Sequence, residues 1–225
     1  MMKRNVLISV KELEDHTVFK SNVDTIEQCS FDSDNDISLV YSSLKVVNFD
    51  KVAATFCSRC GVCSLSSTDS FVIFNDTPCF IEFKNQKPNT KNIISKFYES
   101  LMIFCNYKDC HYDYFVKNAI FFLVFNPAKD SSDDKLYKSK KTNNSNASTN
   151  NFSKNKICSH VFQKAKTHKI LFGLGELKGR ICKDIYTITN REFNNLLKEA
   201  KLENHKVFSY QVHLNTLDFD ESTES

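Results

Sequence analysis

The stretch Asp69-Ser70-Phe71-Val72-Ile73-Phe74-Asn75-Asp76-Thr77-Pro78-Cys79-Phe80-Ile81-Glu82-Phe83-Lys84 decides the fold. An apolar run at 71–74 meets the turn pair Asn75-Asp76, and a second run follows at 79–84, the pattern of a β-hairpin. Side chains alternate across a strand, so Phe80, Glu82 and Lys84 are predicted to share one face of the second run, with Ile81 and Phe83 on the other. Two opposite charges thus lie together on an otherwise apolar strand. Closing the hairpin carries Asp69 towards them.

Beyond the hairpin, Ile93, Ile94, Phe97, Leu101 and Met102 recur at near-helical spacing within 91–105, which contains no Gly or Pro, so a helix is predicted there. Residues 119–125 form a near-continuous apolar run closed by Asn126-Pro127, as expected of a strand covered on both faces. The local order is therefore β, β, α, β. Further along, a helix is predicted at 158–166, strands at 169–174 and 181–188, and a helix at 191–200 capped by Thr189 or Asn190. Upstream, a short strand is predicted at 39–41 and a helix at 44–56 that buries Val46, Val47 and Val52.

Together these elements describe an α/β protein with a mixed central β-sheet flanked by helices. A chain of 225 residues favours one domain, 1–225, over two. Its 41% hydrophobic content and 20 Phe residues argue against global disorder. Residues 130–156 are almost wholly Asp, Ser, Lys, Asn and Thr and are expected to be a flexible insertion; 218–225 are expected to be a frayed acidic tail.

The net charge of +3 does not by itself point to nucleic acid, because binding phosphates requires locally clustered cations. Met1-Met2-Lys3-Arg4 resembles the charged end of a signal peptide, but the apolar run after it is short and charges resume at Lys11, so no export is expected. The strongly apolar run 119–125 falls far short of the roughly 20 residues that span a bilayer, so no membrane insertion is expected. Nine cysteines, an odd number without an export signal, favour reduced thiols and a cytoplasmic location.

Asp69 and Glu82 would supply a pair of hard oxygen donors of the kind that suits Mg2+, or Mn2+ in its place. Lys84 beside them could orient an attacking water or stabilise charge on a phosphoryl group. An acid before one hairpin strand, the triplet Glu82-Phe83-Lys84 on its partner, and then a helix and a strand resemble the PD-(D/E)XK nuclease superfamily over residues 69–125. The resemblance implies a restriction-endonuclease-like core and metal-dependent hydrolysis of phosphodiester bonds in nucleic acid, with DNA as the expected substrate. It assigns Asp69 and Glu82 to the metal and Lys84 to catalysis beside them.

Thr68 stands where that superfamily commonly has proline. Its further acid on an upstream helix has Glu27 and Glu14 as candidates here, and its polar side chain on the following helix has Lys96 and Tyr98. The alternative is a nuclease-like scaffold without catalysis that binds nucleic acid, a protein partner or a second copy of itself.

A separate candidate is Cys57-Ser58-Arg59-Cys60-Gly61-Val62-Cys63, in which two residues separate successive thiols. Such a thiolate cluster would suit zinc or an iron-sulfur centre if Cys29, Cys79, Cys105, Cys110 or His111 completed the ligand set; reduced thiols are the plainer alternative. The histidines show no metal-binding or catalytic spacing. Gly173 and Gly175 lack the lysine and serine of a phosphate-binding loop and mark a turn.

Overall fold

The computed structural model describes residues 16–62, 64–74, 77–108, 111–127 and 170–199. Along the chain come α1 (Thr17–Ser21), β1 (Val23–Thr25), α2 (Ile26–Cys29), β2 (Phe31–Asp32), β3 (Ile37–Ser38), β4 (Lys45–Asn48) and α3 (Phe49–Cys60). There follow β5 (Ser70–Phe74), β6 (Thr77–Lys84), α4 (Thr90–Lys108), α5 (Tyr112–Asn118), β7 (Ile120–Phe125), a 3-10 turn (Leu174–Leu177), β8 (Asp184–Thr189) and α6 (Asn190–Glu199).

Six strands form one mixed sheet in the order β1-β4-β5-β6-β7-β8. The first four are joined by antiparallel pairings, and β7 and β8 then run parallel to β6. The predicted hairpin is β5 and β6, in register from Ser70 opposite Ile81 to Phe74 opposite Thr77. The α4–α5 crossover supplies the long connection that parallel β6 and β7 require.

Alternation along the strands divides the core into two layers. On one face Val47, Phe71, Phe80 and Phe121 pack beneath α1, α3, α4 and α5; on the other, Val46, Val72, Ile81 and Phe122 pack beneath α2 and α6. Phe80 lies 4.9 Å from Phe71 and 5.0 Å from Phe121, ring centre to ring centre, forming an aromatic row across three strands. Burying each such ring is worth about 1.5–3 kcal/mol, and the row packs in the same core layer as Ile93, Phe97, Leu101 and Phe104 of α4.

Several predicted boundaries move. The helix predicted at 44–56 is a strand followed by a helix: Val46 and Val47 are buried on opposite sheet faces, and Asn48 caps α3 by accepting from the Lys51 N–H at 3.1 Å. No strand forms at 39–41; the Val40 N–H donates instead to Ser30 Oγ at 3.1 Å. Met102 is 48% exposed, because the buried face of α4 runs through Ile93, Phe97, Leu101 and Phe104.

The strand predicted at 169–174 does not form over the described residues 170–174, where Phe172 and Gly173 both take left-handed conformations, with φ of 58° and 69°, leading into the 3-10 turn. The strand predicted from 181 begins at Asp184, after a turn closed by the Gly179 N–H donating to the Cys182 carbonyl at 2.7 Å. Thr189 caps α6, exchanging hydrogen bonds with Glu192. The helix predicted at 158–166, the insertion at 130–156 and the tail at 218–225 lie outside the described residues. Among the described residues no helix is long and apolar enough to cross a membrane.

Candidate functional site

Asp69 stands one residue before β5, and Glu82 and Lys84 close β6 on the face that carries Phe80. Asp69 is fixed at both ends. Its carbonyl accepts from the Phe49 N–H at 3.1 Å, and its Oδ2 accepts from the Phe83 N–H at 2.5 Å. The loop leading to it is tied to α4, where the Ser66 N–H donates to Glu99 Oε2 at 2.6 Å and the Thr68 N–H to Ser100 Oγ at 2.8 Å. On its other side the Ser67 hydroxyl donates to Asp50 Oδ1 at 2.5 Å.

Glu82 is fully buried. Lys84 Nζ lies 2.6 Å from Glu82 Oε1. Lys96, reaching in from α4, places Nζ 2.8 Å from Glu82 Oε1, 3.1 Å from Glu82 Oε2 and 3.2 Å from Asp69 Oδ1. Neither ammonium meets Oε1 at a hydrogen-bonding angle, so that atom is buried with ionic neighbours but no hydrogen-bond donor.

Burial, reinforced by the neighbouring Glu82 carboxylate, raises the Asp69 pKa to about 8; the Lys96 ammonium and the Phe83 N–H act against this rise. For Lys96, burial disfavours the charge, but the Asp69 and Glu82 carboxylates outweigh it and hold the ammonium protonated. Two acids and two bases thus share a small, partly desolvated volume, where removing one partner leaves another exposed to the full cost of burial.

The structure brings Asp69, Glu82, Lys84 and Lys96 together. Tyr98 is not among them: it sits two residues past Lys96, about 200° around the helix, and is 47% exposed. Glu27 is exposed on α2 and lines a separate hollow with Thr25, Gln28 and Lys45. Glu14 lies outside the described residues.

An acid that the sequence reading passed over, Asp50, lies in the first turn of α3 and lines the same cleft, and its charge contributes to raising the pKa values of both Asp69 and Lys96. The available signal was Asn48, a helix-capping residue two positions earlier.

Cys57 and Cys60 occupy successive turns of α3, the first buried and the second exposed, while Cys63 lies outside the described residues. Among the described residues, no group of three or more His, Cys, Asp or Glu side chains is arranged to hold a metal ion.

Asp50, Asp69, Lys84 and Lys96 open onto a cleft of about 630 Å3 between α4 and the β2–β3 hairpin, with Phe31 and Asn92 on its walls. Magnesium commonly takes one or two protein carboxylates and completes its shell with water and substrate oxygens. Asp69 and Glu82 are two such donors, but Glu82 is fully buried and its Oε1 lies 2.6 Å from the Lys84 ammonium and 2.8 Å from that of Lys96, so a hard divalent cation would fit between the two acids only with the Lys96 ammonium withdrawn. Comparisons with protein-family models, curated proteins and solved structures find no match for this chain.

Proposed function

We propose that this chain is a PD-(D/E)XK-like, divalent-metal-dependent nuclease that hydrolyses phosphodiester bonds in nucleic acid, with DNA as the first substrate to test. The observation that carries the reading is the meeting of Asp69 and Glu82 at one end of the β5–β6 hairpin, with Lys84 2.6 Å from Glu82. The succession β5, β6, α4, α5, β7, with β7 parallel to β6, supports it. Asp69 and Glu82 would hold Mg2+ or Mn2+, which supplies a Lewis acid and an activated water when bound.

The chain's own groups do the rest. The Phe83 N–H fixes the Asp69 carboxylate, and Glu82 is held rigidly by its burial in the sheet. Lys84, partly exposed at the cleft, faces the position where a phosphoryl group would sit and stabilises negative charge developing there. Free thiols at Cys29, Cys57, Cys60 and Cys182 support a reducing, cytoplasmic setting.

The test is incubation of the full chain with single-stranded, duplex and branched DNA and with RNA, in Mg2+, Mn2+ or EDTA. Metal-dependent cleavage is expected, with Glu82→Gln reducing it by about a hundredfold or more. Intact substrates under both metals would refute the catalytic reading.

One observation favours a second reading, a non-catalytic module that binds nucleic acid or a protein, including a second copy of itself: Lys96 already joins both acids and neutralises them without a metal. Nucleic-acid binding that is unchanged by EDTA, together with no heat of Mn2+ binding, would favour it.

A further inference from the structure

Glu82, fully buried, and Asp69, 15% exposed at its side chain, share one cation, and the distances identify which lysine provides it. Lys84 is ion-paired with Glu82, whereas Lys96 lies within 3.2 Å of Asp69 Oδ1 and within 3.1 Å of both Glu82 oxygens. Magnesium binds carboxylate oxygens at about 2.0–2.1 Å. An ion gathering oxygens from both acids would therefore lie inside the volume that the ammonium fills, and two positive charges at such separation repel strongly in a partly dry site.

We infer that Lys96 is a resident counter-cation in the seat of the divalent ion, so that its pairing with Asp69 and Glu82 and the binding of a metal exclude one another. This rests on the proposed metal-dependent reading of the same site and adds a positioning residue to it.

The arrangement is suited to exchange. Lys96 springs from the part of α4 that walls the cleft, its side chain is 21% exposed, and its flexible four-carbon stem can turn outwards without moving the helix. In the metal-free chain the ammonium keeps the acids together and the site compact. Once displaced, the same ammonium stands at the cleft wall, where an anionic substrate would meet it. Metal affinity is then lowered by the cost of breaking the Lys96 pairs, and metal occupancy decides which partner Lys96 has.

The experiment uses the full chain, with Mn2+ as the probe. Calorimetric titration of the native protein, Lys96→Met and Lys96→Gln is combined with thermal unfolding in EDTA and with acetylation of Lys96 followed by mass spectrometry. The substituted proteins are expected to bind Mn2+ at least tenfold more tightly, to melt at lower temperature in EDTA and to gain more from added Mn2+. In the native chain, saturating Mn2+ is expected to raise the Lys96 acetylation rate severalfold. This arm needs no substitution and stands even where Lys96→Met does not fold.

Equal or weaker Mn2+ affinity in the variants, or a Lys96 acetylation rate indifferent to bound Mn2+, overturns the inference while leaving the metal-dependent reading in place. Absence of Mn2+ binding in the native chain and both variants overturns the two together.

Discussion

The backbone N–H of Phe83 donates to Asp69 Oδ2 at 2.5 Å, while the Phe83 side chain packs on the opposite side of the sheet, 6.5 Å from the Phe193 ring. The middle residue of Glu82-Phe83-Lys84 therefore has two duties. It anchors β6 beneath α6, and it points a fixed donor at the acid just before the neighbouring strand. Apolar packing on one face sets the position of a charged group on the other.

Asp69→Asn keeps an oxygen for the Phe83 N–H, whereas Asp69→Ala leaves that donor unsatisfied. The alanine variant is expected to lose about 1–3 kcal/mol of unfolding free energy and the asparagine variant about 1 kcal/mol or less. Both are expected to lose Mn2+ binding. Urea unfolding and calorimetry measure the two effects separately, and equal stability losses would mean that the Phe83 hydrogen bond contributes little.

The raised pKa of Asp69 gives the metal-free protein a distinct pH dependence. A carboxyl with a higher pKa in the folded chain than in the unfolded chain holds its proton more tightly when folded. Its contribution to stability is therefore greatest at low pH and is lost as pH rises from the ordinary aspartate range through about 8. In EDTA, the stability difference between the native chain and Asp69→Asn is expected to move in the variant's favour between pH 5 and pH 8. Denaturation midpoints that shift in parallel for both proteins over that interval would contradict this.

The hairpin was legible because a period of two with charges on one face admits few other structures, and the buried run 119–125 could hardly be anything but a covered strand. The region 44–56 was not, because adjacent valines fit a helix as readily as a strand until it is known that both sheet faces are covered. That ambiguity also hid Asp50, which a helix starting at Leu44 places in its middle and one starting at Phe49 places in its first turn at the cleft. Lys96 was legible as a polar residue on the right helix, but its bridge between two acids depends on the distance between α4 and β6, which no local pattern records.

Ser100 is fully buried on α4, and its hydroxyl oxygen accepts from the Thr68 N–H at 2.8 Å and lies 3.2 Å from Thr68 Oγ1. Ser100→Ala strands the buried Thr68 N–H immediately before Asp69. A stability loss of about 1–3 kcal/mol is expected, with weaker Mn2+ binding as the carboxylate loses its fixed position. Lost stability with unchanged Mn2+ affinity would show that the Phe49 and Phe83 contacts hold Asp69 by themselves.

Asp50 is the sharper test of how far the site extends. Its side chain is exposed at the cleft, it accepts from Ser67, and its negative charge sits near the N-terminal end of α3, where it is worth about 0.3–1 kcal/mol to the helix. Asp50→Asn keeps an oxygen to accept the Ser67 bond, so the fold is expected to lose about 1 kcal/mol or less. The same substitution removes a negative charge that helps to raise the Asp69 pKa, so Asp69 should titrate at lower pH, and the pH-dependent loss of metal-free stability should shift down with it. Mn2+ affinity is expected to fall by about threefold to tenfold, the scale of an exposed charge worth roughly 1 kcal/mol. Calorimetry at fixed ionic strength measures that loss; unchanged affinity, with the pH profile also unmoved, would place Asp50 outside the electrostatic reach of Asp69 and Glu82.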